Sequence, residues 1–145
     1  MIKAFNTAAI ATNLQRLCLI RVILLFGITI ALGIAKTQDI TVATSSIIWV
    51  LSILALSTTL CWFRLQQSWP LTEQEFFAHI FSDIGFLTAL LYFSGGATNP
   101  FVSYFLIPLA ISAITLPWAY TIAAAVLSIA SYSLLLFFYV PLAIY

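Results

Sequence analysis

Five apolar runs, separated by short polar segments, make up most of this chain, and each is close to the length of a membrane-spanning helix. They cover residues 17–35, 44–63, 76–93, 102–116 and 118–140. A spanning helix needs about 20 mostly apolar residues, and only a helix satisfies its own backbone within one segment in lipid. The sequence therefore predicts an all-α fold, a polytopic helical membrane bundle with five spans in one transmembrane domain.

The composition excludes a water-soluble domain and several kinds of site. Hydrophobic residues are 63% of the 145 residues and charged residues only 6%, too few to cover a surface in water. No basic cluster indicates nucleic-acid binding, and one His and two separated Cys cannot build a zinc site, so no metal is expected. Cys18 and Cys61 fall in apolar runs and are predicted to be small buried packing residues.

The basic residues predict the orientation of the spans. Lys3, Arg16, Arg21 and Arg64 would share one side of the membrane, with Lys36 alone on the other. The positive-inside rule then predicts a cytoplasmic N-terminus. The first apolar run is too long for a signal peptide and is followed by further spans, so we expect a multi-pass protein.

A polar turn, Gly95–Phe101 and hereafter the heptad, separates the third and fourth runs. Its Gly-Gly and Asn-Pro pairs are strong turn signals. The Asn99 amide and the Thr98 hydroxyl can donate to carbonyl oxygens, so the turn suits a ligand with a polar head and an apolar body. The alternative is an interhelical turn in which Asn99 caps the next helix.

Three ionisable residues lie inside predicted spans. Asp83 is the most costly of them, because a buried carboxyl group needs a partner, a proton or a route to water. His79 lies one helical turn before Asp83, so the two could form a proton-shuttling pair. Arg21 lies at a similar depth in the first span and could pair with Asp83, although snorkelling to the interface is favoured slightly. A purely structural contact is the alternative for Asp83.

The heptad resembles the GGxxNPF signature in the membrane domain of the RegB/PrrB family of redox-responsive sensor histidine kinases. The resemblance is strong from Phe77 to Pro117 and weak elsewhere. The segments that carry it are Asn13–Leu17 with Arg21, Phe77–Asp83, Leu87–Tyr92, Phe101–Leu109 and Leu116–Pro117.

The resemblance implies a function that composition does not show. The chain would be the membrane input module that senses ubiquinone and signals to a cytoplasmic kinase region, and through it to a response regulator, in the bacterial inner membrane. A homodimer is expected. The quinone-binding residues would be Gly95, Gly96, Thr98, Asn99, Pro100 and Phe101, flanked by Tyr92 and Tyr104.

The family's membrane domain has six spans, whereas five spans starting inside would leave Tyr145 outside. We therefore expect that a sixth helix is missing from this chain. Kinase elements are also missing from it, so we expect no enzyme activity of the chain alone, although the parent protein would be a histidine kinase. Two other functions stay open: a structural membrane subunit that binds quinone or lipid, and a fragment of a proton- or ion-coupled transporter that uses Asp83.

Overall fold

The computed structural model of the chain describes the backbone of residues 2–38, 40–41, 43–141 and 143–144, and the side chains of residues 8–38 and 43–141. Lys3 and Tyr145, which enter the predicted topology, lie outside the described side chains. Five α-helices occur in the described part: α1 (Ile2–Thr37), α2 (Thr44–Leu65), α3 (Glu73–Tyr92), α4 (Leu106–Thr115) and α5 (Trp118–Phe137). The prediction of an all-α membrane bundle is confirmed.

Two short strands lie between these helices and after them. Strand β1 (Ile40–Thr41) follows α1, and strand β2 (Ala143–Ile144) follows α5. They pair antiparallel, with Ile40 opposite Ile144. The chain after α5 therefore returns to the loop between α1 and α2.

Four of the described helices are long and apolar enough to cross a membrane, and the segment Pro100–Thr115 is shorter. This segment is a 3₁₀ helix, Pro100–Phe105, that continues directly into α4. Pro108 has no N–H, so the α-helical hydrogen bond to the Tyr104 carbonyl cannot form there. The 3₁₀ helix, with its tighter i to i+3 bonds, ends three residues before this proline.

Side-chain contacts bring three helix termini and an inner turn of α1 together at one end of the bundle, here called the arginine end. Arg64, near the end of α2, pairs with Glu75 in the first turn of α3, with Nε 2.5 Å from Oε1. On the other side, Asn13 of α1 donates through Nδ2 to Thr115 Oγ1 at the end of α4, at 2.9 Å. The start of α3 and the ends of α2 and α4 therefore lie at the level of Asn13, which is eleven residues after the first residue of α1.

The opposite end of the bundle carries the heptad. The backbone N–H of Val140, just after α5, donates to the carbonyl of Tyr92 at the end of α3, at 2.8 Å. Because α5 starts beside the end of α4 and finishes at the heptad end, the segment Pro100–Thr115 runs from one end of the bundle to the other.

Helix α3 is the centre of the bundle and contacts the other four helices. Its buried side chains are Phe76, Ile80, Ile84, Leu87, Leu90 and Leu91, and spacings of three or four residues place them on one side of the helix. The Thr72 hydroxyl caps the start of α3 by accepting from Glu75 N at 3.2 Å. The helix thus begins at Glu73, three residues before the predicted span.

Gly96 packs directly against the end of α5. Gly95 and Gly96 have φ angles of 101° and 66°, in the left-handed region that favours glycine. A Cβ atom on Gly96 would lie 2.6 Å from the Tyr139 Cβ and Cγ atoms. Both the turn and the close approach therefore require glycine at this position.

We expect Gly96→Ala to destabilise the protein by at least about 1–2 kcal/mol, because it adds left-handed backbone strain to the clash with Tyr139. Thermal unfolding in detergent, followed with a thiol-reactive fluorophore, measures this, since Cys18 and Cys61 are 0% and 1% exposed until the protein unfolds. Gly85→Ala is the matched control, because nothing lies within 4 Å of its added Cβ. Equal melting temperatures for the two variants would contradict the prediction.

Candidate functional site

The side chains of the heptad bond mainly to the heptad itself and to the residue before it. Asn99 Nδ2 donates to the Ser94 carbonyl at 2.7 Å and to Ser94 Oγ at 3.0 Å, which uses both amide hydrogens. Asn99 Oδ1 accepts from Phe101 N at 2.9 Å. Thr98 Oγ1 donates to the Gly95 carbonyl at 2.8 Å. These donors therefore have to leave their present partners before they can reach a ligand.

Asn99 has the geometry of the capping alternative. It is the N-cap of the 3₁₀ helix, and Pro100 occupies the first helical position, where its missing N–H has no cost. The heptad is thus a closed turn whose polar groups satisfy one another. The predicted bonds from Asn99 and Thr98 to a quinone stay a prediction.

Three of the predicted aromatic residues form two ring contacts beside the heptad. Tyr92 meets Phe93 edge to face, with centroids 5.0 Å apart. Phe101 packs against Tyr104 with centroids 5.5 Å apart and an interplanar angle of 50°. The Tyr104 hydroxyl has no hydrogen-bond partner within the described residues, so it stays available as a donor.

An apolar cavity of about 180 Å³, here called the upper cavity, lies beneath the heptad between α1, α2 and α3. Asn99 and Phe101 border it at the heptad end, and Ser94 is its other polar neighbour. Its remaining walls are aliphatic and are formed by Leu24, Ile28, Ala31, Leu32, Ala35, Ile47, Leu87, Leu90 and Leu91. The site is therefore almost wholly apolar, with the two polar residues Ser94 and Asn99 at its heptad end.

Arg21 and Asp83 form an ion pair deep in the bundle, between α1 and α3. Arg21 Nε lies 2.6 Å from Asp83 Oδ1, and the two side chains are only 3% and 12% exposed. Arg21 Nη2 also donates to the His79 carbonyl at 3.2 Å. The structure thus contradicts the favoured expectation that Arg21 snorkels to the interface, because the carboxylate offers it a closer partner than water.

His79 does not pair with Asp83. In the described part of the chain no hydrogen bond joins the two side chains, and Asp83 Oδ1 bonds to Arg21 instead. His79 instead lines a shallow groove between α2 and α3 with Cys61, Arg64 and Glu75. The structure therefore gives no support to the predicted His–Asp proton pair. No group of three or more metal-ligating side chains occurs among the described residues.

The two cysteines meet across α1 and α2. Cys18 Sγ lies 2.6 Å from Cys61 Sγ, and both residues are buried. The prediction that both cysteines are buried is confirmed. Sequence reasoning missed their contact, because 43 residues separate them.

Sequence reasoning also missed the α1 wall of the upper cavity and the part played by Ser94. Leu24, Ile28, Ala31 and Ala35 are spaced three or four residues apart, so one helix face carries them all. The spacing is visible in the sequence, but the sequence does not show that this face of α1 lies against the cavity beneath the heptad. Ser94 lies immediately before the heptad and bonds its asparagine.

We expect Asn99→Ala to lower the free energy of unfolding by about 0.5–2 kcal/mol, as the loss of an N-cap does. The stability of Asn99→Asp should lie between those of Asn99→Ala and the wild type. An Asp oxygen can still accept from Phe101 N, whereas both bonds to Ser94 are lost. The same thermal unfolding assay measures both. Wild-type stability of Asn99→Ala would show that the cap has no structural importance.

Comparison with known proteins assigns the family. No curated protein and no solved structure matches the chain. The family described as the PilS-like transmembrane domain, 6TM_PilS, matches residues 6–143. This family is a transmembrane domain of sensor kinases, whereas membership of the RegB/PrrB family and the quinone motif stay predictions. Because the match covers nearly the whole sequence, the chain belongs to the family of PilS-like transmembrane domains and is a sensor-kinase input domain in the membrane.

Proposed function

We propose that this sensor-kinase input domain detects the redox state of the membrane quinone pool by binding a ubiquinone in the upper cavity. The observation that carries the proposal is the cavity itself, with aliphatic walls from α1, α2 and α3 and the heptad at its rim. Quinones combine an apolar tail with a ring that bears two carbonyl acceptors, so a mainly apolar site with a few polar groups suits them.

The size of the cavity supports a ring-shaped head group. Apolar cavities of about 150 Å³ hold a benzene ring in other proteins. The upper cavity, at about 180 Å³, has room for one substituted six-membered ring. Phe101 lies against this space and offers an aromatic face for stacking.

Signalling needs two conformations with different affinities for the ligand. Gly96 packs on Tyr139, so a shift of the heptad would displace the end of α5. In the full-length protein this displacement would reach a cytoplasmic kinase region and its response regulator. We place the domain in the bacterial inner membrane as a homodimer, with its N-terminus in the cytoplasm.

Direct binding tests the proposal. The purified chain in quinone-free nanodiscs is incubated with a short-tailed ubiquinone, separated from free ligand, and the bound quinone is quantified against empty nanodiscs. We expect saturable binding to the wild type. Ala31→Phe fills the cavity from α1 and should weaken binding at least about tenfold, since it removes the space for the ring.

Ala123→Phe is the matched control, because Ala123 is exposed on α5 and lies away from the cavity. It should bind quinone as the wild type does. Absence of saturable binding to the wild type would refute the proposed function. Equal binding by both phenylalanine variants would refute the upper cavity as its site.

A further inference from the structure

A second, smaller cavity of about 40 Å³, here called the lower cavity, adjoins the upper one. Leu24, Leu87 and Leu90 line both cavities, so the two share a wall. On α3 the lower cavity begins at Asp83, four residues before Leu87, which is about 6 Å along the helix axis. A ring in the upper cavity thus has its deep edge close to the lower cavity.

Arg21 and Asp83 both line the lower cavity, and each keeps one buried polar atom without a partner. Arg21 Nη1 and Asp83 Oδ2 make no hydrogen bond to any residue that the structure describes. An unsatisfied buried atom of a charged group is costly, and such atoms in native proteins call for a bonding partner. The deep end of the site therefore offers one atom that only donates and one that only accepts.

Tyr104 links the two cavities through its ring. It lines the lower cavity and packs against Phe101, which lines the upper one. Pro108, the third residue of α4, also lies in the wall of the lower cavity. The lower cavity thus contacts both the ion pair and the segment that follows the heptad.

We propose that the Arg21–Asp83 pair, rather than the heptad, distinguishes the oxidised from the reduced ligand. The inference rests on the proposed function, because it assigns the redox preference of the same site. A quinone carbonyl accepts from Arg21 Nη1 but has no hydrogen to donate, so Asp83 Oδ2 faces the lone pairs of the carbonyl oxygen and stays without a partner. A quinol hydroxyl accepts from the guanidinium and also donates to the carboxylate, so it satisfies both groups.

The sign of the preference follows from these roles. Hydrogen bonds to charged groups are among the strongest in proteins, and the quinol gains one that the quinone cannot make. The wild type should bind the quinol at least about tenfold more tightly than the quinone. The donors of Asn99 and Thr98 are engaged within the heptad and make no such distinction.

The test compares both redox forms on the wild type and on the double variant Arg21→Met with Asp83→Leu. An apolar replacement of a whole buried ion pair is often neutral or stabilising, whereas a single substitution leaves one charge unpaired. The quinone and its dithionite-reduced quinol are titrated anaerobically in nanodiscs. We expect the double variant to bind both forms with affinities within about twofold of each other, because a ligand hydroxyl gains nothing from Met and Leu.

Infrared spectroscopy gives a second measurement that needs only the wild-type protein. A guanidinium bond lowers the stretching frequency of one quinone carbonyl, so two separate carbonyl bands are expected for bound quinone. A single unshifted band would overturn the inference even if the double variant did not fold.

The outcomes separate the inference from the function on which it rests. Equal affinities for quinone and quinol in the wild type, with binding still lost in Ala31→Phe, would overturn the inference and leave the quinone site intact. An unchanged quinol preference in the folded double variant would also overturn it. Absence of any saturable binding would refute both.

Discussion

The ion pair between Arg21 and Asp83 is the constraint on which the arrangement of the bundle depends. A single charge in the middle of an apolar bundle is costly, so each residue fixes the depth and rotation of the other's helix. Asp83 lies at the middle of the 20-residue α3, ten residues after its first residue. The ion pair therefore requires Arg21 of α1 to lie at the same depth in the bundle. The two cavities beside the pair are lined by residues of α1 and α3, so their positions depend on how the pair sets these two helices against each other.

The heptad completes the site by a different principle, the satisfaction of its own polar groups. Two left-handed glycines reverse the chain, and Asn99 then bonds back to Ser94 and forward to Phe101 N. A loop closed in this way leaves little polar surface toward the cavity below it. The division of the site is therefore clear: the heptad end supplies shape and aromatic surface, and the deep end supplies charge.

Much of the fold could be predicted from the sequence, and the reason is the bilayer. The apolar runs and the turn signals required helices joined by short loops, and the polar turn at Gly95–Phe101 was evident from its residue types. The rotation and depth of one helix relative to another could not be predicted in the same way. The sequence offered both pairing and snorkelling for Arg21, and only the rotation of α1 against α3 decides between them. The contact of Cys18 with Cys61 and the cavity wall on α1 depend on the same rotation.

The short fourth segment has a consequence for the thickness that the bundle can span. As a 3₁₀ helix of six residues and an α-helix of ten, it extends about 27 Å, using rises of about 2.0 and 1.5 Å per residue. An unbroken α-helix of the same residues would extend only about 24 Å, further below the roughly 30 Å of a bilayer core. Pro108 disfavours that shorter form, because it cannot bond to the Tyr104 carbonyl. One proline thus adjusts the hydrophobic match between this crossing and the lipid around it.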